Sequence, residues 1–570
     1  MDMQQRMPAG QNGLLQLPEE ILLDVFDYFA KPARQLRESE TWRYPENLHP
    51  GDFTCLQNAR LACRRLSEVV SPLLCPVVTV GLNSQSLRRA DELSRSALIA
   101  KGIRGLVVNL RYRSSSLAAD LRPYHAHVAA KIVSDEAARC YYNTEFQSYE
   151  DEDESPEATA HRAYLEAEDV FQLYARHWRE HVERAQPERP VDVLDNSSIT
   201  QASQRLLQDC FSSYAEQHED QTRIISDGSF VHTLVGIISR LESPPFIWFS
   251  DKDRFEHSSA RDVLELAKNT HNLRRYMEAP HGWLAIETLR DIEVDLLPAR
   301  ILSDLPIACH RSELQLRGVS VGCFPLTKGF EYLLPDGTTM HDDSSAWDRL
   351  AAACQDLKIF HFGMNGMNCT PHRPVDFTPS QRWLINGFIS AACSGPNLER
   401  FCLSMAPFRV CDAGRTWLVP SSVPDQNYPA GSMLASLTST RLTQLWILSV
   451  QISGNELAAA VDRLSSSARF VYLAGITLEQ GRYADTMSAL QQQTARGRLS
   501  VELTTLQGAE FGSARAAPDD GLMWDLDEQE ADTYWESLEE HMNPVLLKRL
   551  LEWIHAGHGE PNPLANSPRP

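Results

Sequence analysis

His177, Glu180 and His181, within His177-Trp178-Arg179-Glu180-His181, have the types and spacing of a metal-dependent hydrolytic site. Two imidazoles one helical turn apart can bind a metal, and a carboxylate between them can act as base. Five-residue patterns also arise by chance, and no third-ligand helix or cluster of acids follows this one. The segment therefore reads as a solvated basic and acidic face beside Trp178, with both imidazoles exposed. Gly363-Met364-Asn365-Gly366-Met367-Asn368-Cys369 lacks the lysine and helix start of a phosphate cradle and reads as a surface turn. No GxSxG elbow or paired CxxC occurs, and the 12 cysteines lie scattered from Cys55 to Cys411. These read as reduced, mostly buried thiols. The expectation is a chain with no catalytic residue, no cofactor and no metal.

The elements that would have to position any site belong to a folded protein. Its 570 residues carry 54 basic and 76 acidic side chains, a net charge of −22, and 43% hydrophobic residues. With 28 glycines and 32 prolines, collagen-like and wholly disordered chains are excluded. The negative surplus repels nucleic-acid phosphates and anionic lipid, so a basic protein surface is the expected kind of partner. No leader-like start and no apolar run of membrane-spanning length is found, which points to the cytoplasm or nucleus, with no membrane partner.

Leu17 to Phe29 reads as a short helix, with Pro18 in a first-turn position and Glu19 and Glu20 at its positive start. Ile21, Leu22, Val25, Phe26 and Phe29 form a broad apolar stripe. After an irregular stretch from Lys31 to Asp52, Leu56, Ala59, Cys63 and Leu66 make a second helical pattern, and Leu66, Val69, Val70 and Leu73 a third. Three helices this short bury little surface and need a partner. The opening Leu17-Pro18-x-Glu20-Ile21-Leu22 and the closing Leu61-Ala62-Cys63-Arg64-Arg65-Leu66 resemble the F-box. That resemblance implies docking on a Skp-type adaptor, which is itself bound to a cullin scaffold carrying the ubiquitin-transfer machinery. Its implied adaptor-binding residues are Leu17, Pro18, Ile21, Leu22, Val25, Leu61, Cys63, Arg64 and Leu66. The stretch from Lys31 to Asp52 is longer than the connection usual in the family.

Val77–Val80 and Ile103–Leu110 read as strands around a helix at Leu87–Ala100. From about Thr288, short apolar strands recur at Leu289–Val294, Leu314–Val319, Leu357–Ile359, Leu398–Leu403, Leu445–Val450, Phe470–Leu473 and Leu499–Leu503, with helices at Leu457–Leu464 and Tyr483–Leu490 between the last of them. The spacing suits a parallel strand ladder backed by helices. It resembles the divergent leucine-rich solenoids common behind F-boxes in filamentous fungi. An ordinary α/β domain with one parallel sheet is the alternative.

The expected fold class is thus α/β: an F-box-like motif over 14–76, a first strand-helix-strand unit over 77–112, an acidic and helical insertion over 113–222, a leucine-rich-repeat-like solenoid over 223–515, and an acidic tail over 516–570. Within the insertion, Glu150–Glu154 reads as a mobile loop, and Tyr164, Phe171, Tyr174, Trp178 and Val182 as a packing stripe. In the tail, Val545 to Ile554 reads as a helix capping the last repeat, with disorder past Gly557. The expected function is a non-enzymatic substrate receptor of a cullin-based ubiquitin ligase, with an unknown protein target. The alternatives are a scaffold that never meets a ligase and, remotely, a zinc peptidase acting through His177 and His181.

Overall fold

In a computed structural model, residues 17–28, 50–132, 174, 176, 178–179, 198–252, 269–287, 296–335, 347–363, 377–406, 408, 427–496, 499–511, 544–556 and 561–565 are described. The chain enters α1 (Glu19–Asp27) behind Pro18, with Glu19 and Glu20 in the first turn. Helices α2 (Pro50–Ala62) and α3 (Arg64–Val70) follow, and a 3-10 turn spans Ser71–Leu73. Cys63 is extended, with φ −162° and ψ 166°, and breaks the apolar pattern into two helices that meet at a corner. Leu22, Phe26, Leu56, Leu66, Val69 and Val70 close on one another as the core of this unit. Arg65 Nη2 donates to the Leu17 carbonyl at 2.6 Å, tying the approach to α1 onto α3.

The next elements are β1 (Val77–Gly81), α4 (Ser84–Arg95), α5 (Ala97–Ala100) and β2 (Gly105–Asn109). Gly102 lies against the 3-10 turn, and a Cβ at this position would run into the Pro72 carbonyl. The three-helix unit is thereby seated directly on the first strand-helix-strand unit.

Helices α6 (Ser115–Ala119), α7 (Leu121–Ala130), α8 (Ser198–Ser226) and α9 (Ser229–Ile238) come before β3 (Phe246–Ser250). Next come α10 (Thr270–Met277), α11 (Trp283–Glu287), α12 (Ile301–Arg311), β4 (Gly318–Val321), α13 (Asp348–Cys354) and β5 (Ile359–Phe362). The chain continues through α14 (Pro379–Cys393), β6 (Arg400–Ser404), β7 (Tyr428–Pro429), α15 (Gly431–Ala435) and β8 (Gln444–Ile452). It ends with α16 (Gly454–Asp462), β9 (Phe470–Leu478), α17 (Tyr483–Arg496), β10 (Ser500–Thr504) and α18 (Pro544–Ala556).

The ten strands make one sheet with every pairing parallel, and nine of them lie side by side in chain order. Helices α4, α9, α12, α13, α14, α15, α16, α17 and α18 pack one on the next in the same order, forming a single row along the sheet. Each strand buries its alternate residues under that row, as Leu106, Ile247, Phe360, Phe401, Leu445 and Val471 show. The fold is therefore α/β, with a winding that never reverses direction.

Strands β8 and β9 change phase midway. Leu445 and Ile447 are buried before the change, Val450 and Ile452 after it, and the same shift separates Val471 and Leu473 from Ile476 and Leu478. The extra residue is Ser449 in β8 and Gly475 in β9, with φ +54° and +61°. Thr505, just beyond β10, repeats the feature with φ +49°. One left-handed residue per strand re-aims the side chains by one position, as a bulge does. Serine in this region is strained by about 1 kcal/mol. Ser449→Gly is expected to raise stability by about that amount and Gly475→Ala to lower it similarly, read from denaturant midpoints.

The sequence expectations meet the structure unevenly. Strand β3 is absent from them, although Pro244 and Pro245 precede its apolar Phe246-Ile247-Trp248-Phe249 run. The strand expected at Leu289–Val294, the loop at Glu150–Glu154 and most of the helix bearing Tyr164 and Phe171 lie outside the described residues. Disorder past Gly557 is corrected for 561–565: Leu564 is fully buried, and Asn562 Nδ2 donates to the Ala484 carbonyl at 3.0 Å. Helix α18 packs on α17 and β10 at the end of the sheet.

Part of the insertion is packed. Leu117, Tyr124, Trp178, Leu207, Tyr214 and Leu273 make a second core where α6, α7, α8 and α10 meet. Arg113 fixes this core to the end of β2: its Nε and Nη2 donate to the Glu278 carbonyl at 3.1 and 2.7 Å. At the same junction the His127 and His281 rings meet edge to face at 4.6 Å. Burial, with Lys131 nearby, pushes His127 down from 6.5 to about 4, and burial lowers His281 too. A histidine held neutral in the fold contributes stability that is complete above pH 6.5 and is lost as pH falls toward 4. His127→Gln is expected to flatten the fall in denaturant midpoint between pH 7 and pH 4.5 relative to the parent chain.

Candidate docking surfaces

Among the described residues, exposed apolar surface is concentrated near the amino end. The large hydrophobic residues left open there are Ile21 at 45%, Val25 at 41%, Tyr28 at 67%, Leu61 at 80% and Leu98 at 39% exposure. Ile21 and Val25 on α1, and Tyr28 just past its end with helical backbone angles, follow at i, i+4 and i+7 on one face. Leu22 and Phe26 occupy the neighbouring flank, about 100° round the helix, and are buried. What reads in sequence as one broad stripe is two: an inner one that closes the three helices and an outer one that faces solvent. Leu61, in the last turn of α2, adds to the outward apolar set.

Leu22 and Leu66 are therefore corrected as candidate adaptor contacts, because both are sealed in the unit's own core. Leu17 and Cys63 are partly buried against that core. Pro18, Ile21, Val25, Leu61 and Arg64 are exposed. Arg64 Nε pairs with Glu68 at 3.0 Å beside a surface hollow of about 490 Å³ lined by Glu19, Arg64, Arg65, Glu68 and Val69. Tyr28 was missed by sequence reasoning; its spacing from Ile21 and Val25 is the signal that finds it. Burying such side chains yields roughly 1.5–3 kcal/mol each before association entropy, so exposed ones on one helix face, as Ile21 and Val25 are, suit an interaction surface.

The second surface is the sheet face away from the helices. Register places Thr79, Val107, Trp248, Ser320, His361, Cys402, Trp446, Tyr472 and Glu502 in one transverse row. The row is buried from Val107 to Cys402, half-buried at Trp446 and Tyr472, and exposed at Glu502. Ser320 Oγ and His361 Nδ1 are 2.7 Å apart, and burial pushes His361 down to about 4. This hydroxyl and imidazole satisfy each other inside the sheet.

Two other ionisable groups, half-buried, are hydrogen-bonded to backbone. Asp251 accepts from the Trp283 amide at 2.7 Å, and burial raises its pKa. Glu287 accepts from the amides of Leu326, Thr327 and Lys328 at 3.0, 3.1 and 3.3 Å, and burial pushes it up to about 7. Its stability contribution is complete below pH 4.5 and fades as pH rises through 7, opposite in sense to His127.

His177, Glu180 and His181 lie outside the described residues, so their expected exposure is not addressed. Trp178 is fully buried, with Nε1 donating to the Ser203 carbonyl at 3.0 Å. Among the described residues no three His, Cys, Asp or Glu side chains converge as metal ligands, and no helix is long and apolar enough to cross a membrane. The described cysteines are free thiols, six of them buried.

Compared with known proteins, the chain matches no family model, no curated protein and no solved structure.

Proposed function

We propose that this chain is the substrate-recognition subunit of a cullin-based ubiquitin ligase. Its three-helix unit acts as an F-box on a Skp-type adaptor, and its strand ladder acts as a leucine-rich-repeat-like solenoid that holds a protein target. The observation that carries this reading is the exposure of Ile21, Val25 and Leu61 on a unit whose Leu22, Phe26, Leu56 and Leu66 close a core of their own. Aliphatic side chains left exposed among the described residues offer a surface that another chain can cover. The unswitched strand order and single helix row support the solenoid half, since such arrays bury each unit only against its neighbours. Catalysis in this reading belongs to the partner subunits, and the chain itself is a receptor.

Affinity purification of the tagged full chain from its own cells, with mass spectrometry of what co-purifies, tests the proposal. Adaptor and cullin are expected in near-stoichiometric amounts. Adaptor without cullin favours a scaffold outside a ligase, and absence of both rejects the proposal.

A further inference from the structure

On the sheet face away from the helices, the last three strands differ from the rest. Their outward positions are Gln444, Trp446 and Leu448 in β8, Phe470, Tyr472 and Ala474 in β9, and Ser500, Glu502 and Thr504 in β10. None of these is basic. Arg400 shares the transverse row of Gln444, two strands from Phe470. Trp446, Tyr472 and Glu502 are direct neighbours in register, on strands about 4.8 Å apart. Phe470 packs beside Trp446 with ring centroids 5.0 Å apart, which fixes the indole from one side. Beyond this patch the side-chain phase shifts at Ser449, Gly475 and Thr505, and Asn427 Nδ2 donates to the Gly475 carbonyl at 2.8 Å.

We propose that Trp446, Tyr472 and Glu502 form a docking row for a lysine or arginine side chain on the target protein. Two aromatic faces and a carboxylate in one line offer a cation ring quadrupoles on one side and an opposite charge on the other. Half-exposed aromatics supply area at small entropic cost, and Glu502 at the open end supplies direction. The net charge of −22 draws a basic segment toward the molecule and opposes an acidic one. The identity of this ligand as ligase cargo rests on the function proposed above; the cation site itself does not.

The test uses the full chain and three labelled twelve-residue peptides of identical spacing, alternating proline with lysine, glutamine or glutamate, followed by fluorescence anisotropy. The lysine peptide is expected to bind, and Tyr472→Ala and Glu502→Gln are each expected to weaken it by about tenfold. Tyr472→Phe, which keeps the ring, is expected to retain binding. Glu479→Gln, an exposed carboxylate just past β9, removes the same charge elsewhere and is expected to leave binding unchanged. Equal binding of the three peptides, no binding of the lysine peptide, or equal losses in Glu479→Gln and Glu502→Gln would overturn the proposal. Adaptor capture, measured on the same samples, reports separately on the ligase reading, since these positions are on strands far along the chain from α1 and α2.

Discussion

An Ile21→Asp, Leu61→Asp double variant is expected to lose adaptor capture by a hundredfold or more while keeping the thermal stability of the parent chain. Both side chains are open to solvent in the free protein, so placing charge there strains nothing in the fold. In the complex each would be forced into an apolar contact, forfeiting roughly 1.5–3 kcal/mol of burial and adding the penalty of a desolvated carboxylate. Leu22→Asp supplies the contrast. Leu22 is fully buried between α1 and its neighbours, so the same chemical change there is expected to melt the three-helix unit itself and remove capture by unfolding. Circular dichroism and capture measured together separate the two routes. If the double variant captures adaptor as well as the parent, the outward stripe is not the docking face.

Gly102→Val is expected to destabilise the chain by about 3 kcal/mol, through backbone rather than side-chain crowding. The added Cβ meets the Pro72 carbonyl, in the 3-10 turn that ends the three-helix unit. Neither side can yield as a flexible side chain would, so the unit must lift from α5 or the turn must move. Denaturant unfolding should show a lower midpoint, and limited proteolysis should gain a cut between residues 70 and 84. An unchanged midpoint and digestion pattern would mean the two parts are not seated on each other as described. The consequence for function is geometric: a unit fixed to β1 and α5 holds the ladder at one orientation to whatever the unit binds.

Much of the ladder was legible because its signal is periodic. Leu445 and Ile447, Val471 and Leu473, and Val501 and Leu503 alternate as half-covered strands do, and the helices between them repeat at three and four residues. Strand β3 escaped because the long 113–222 segment separates it from its neighbour β2, so no spacing pointed to it. The positive-φ positions were illegible at Ser449 and Thr505, where the residue type gives no sign of a left-handed turn, and only Gly475 has the residue such a turn favours. At the docking unit, composition located the apolar residues but not their sides. Ile21 and Leu22 are adjacent and equally apolar, and only the packing of α1 on α3 decides which is core and which is surface. The row of Trp446, Tyr472 and Glu502 is likewise spread over three strands and exists only through register.

The receptor reading requires the exposed apolar side chains of α1 and α2 to be covered by another protein. Its most direct test is to mix the purified full chain with a purified Skp-type adaptor and measure mass by size-exclusion chromatography with light scattering. The account predicts a single one-to-one complex; separate elution of the two proteins at micromolar concentration would contradict it.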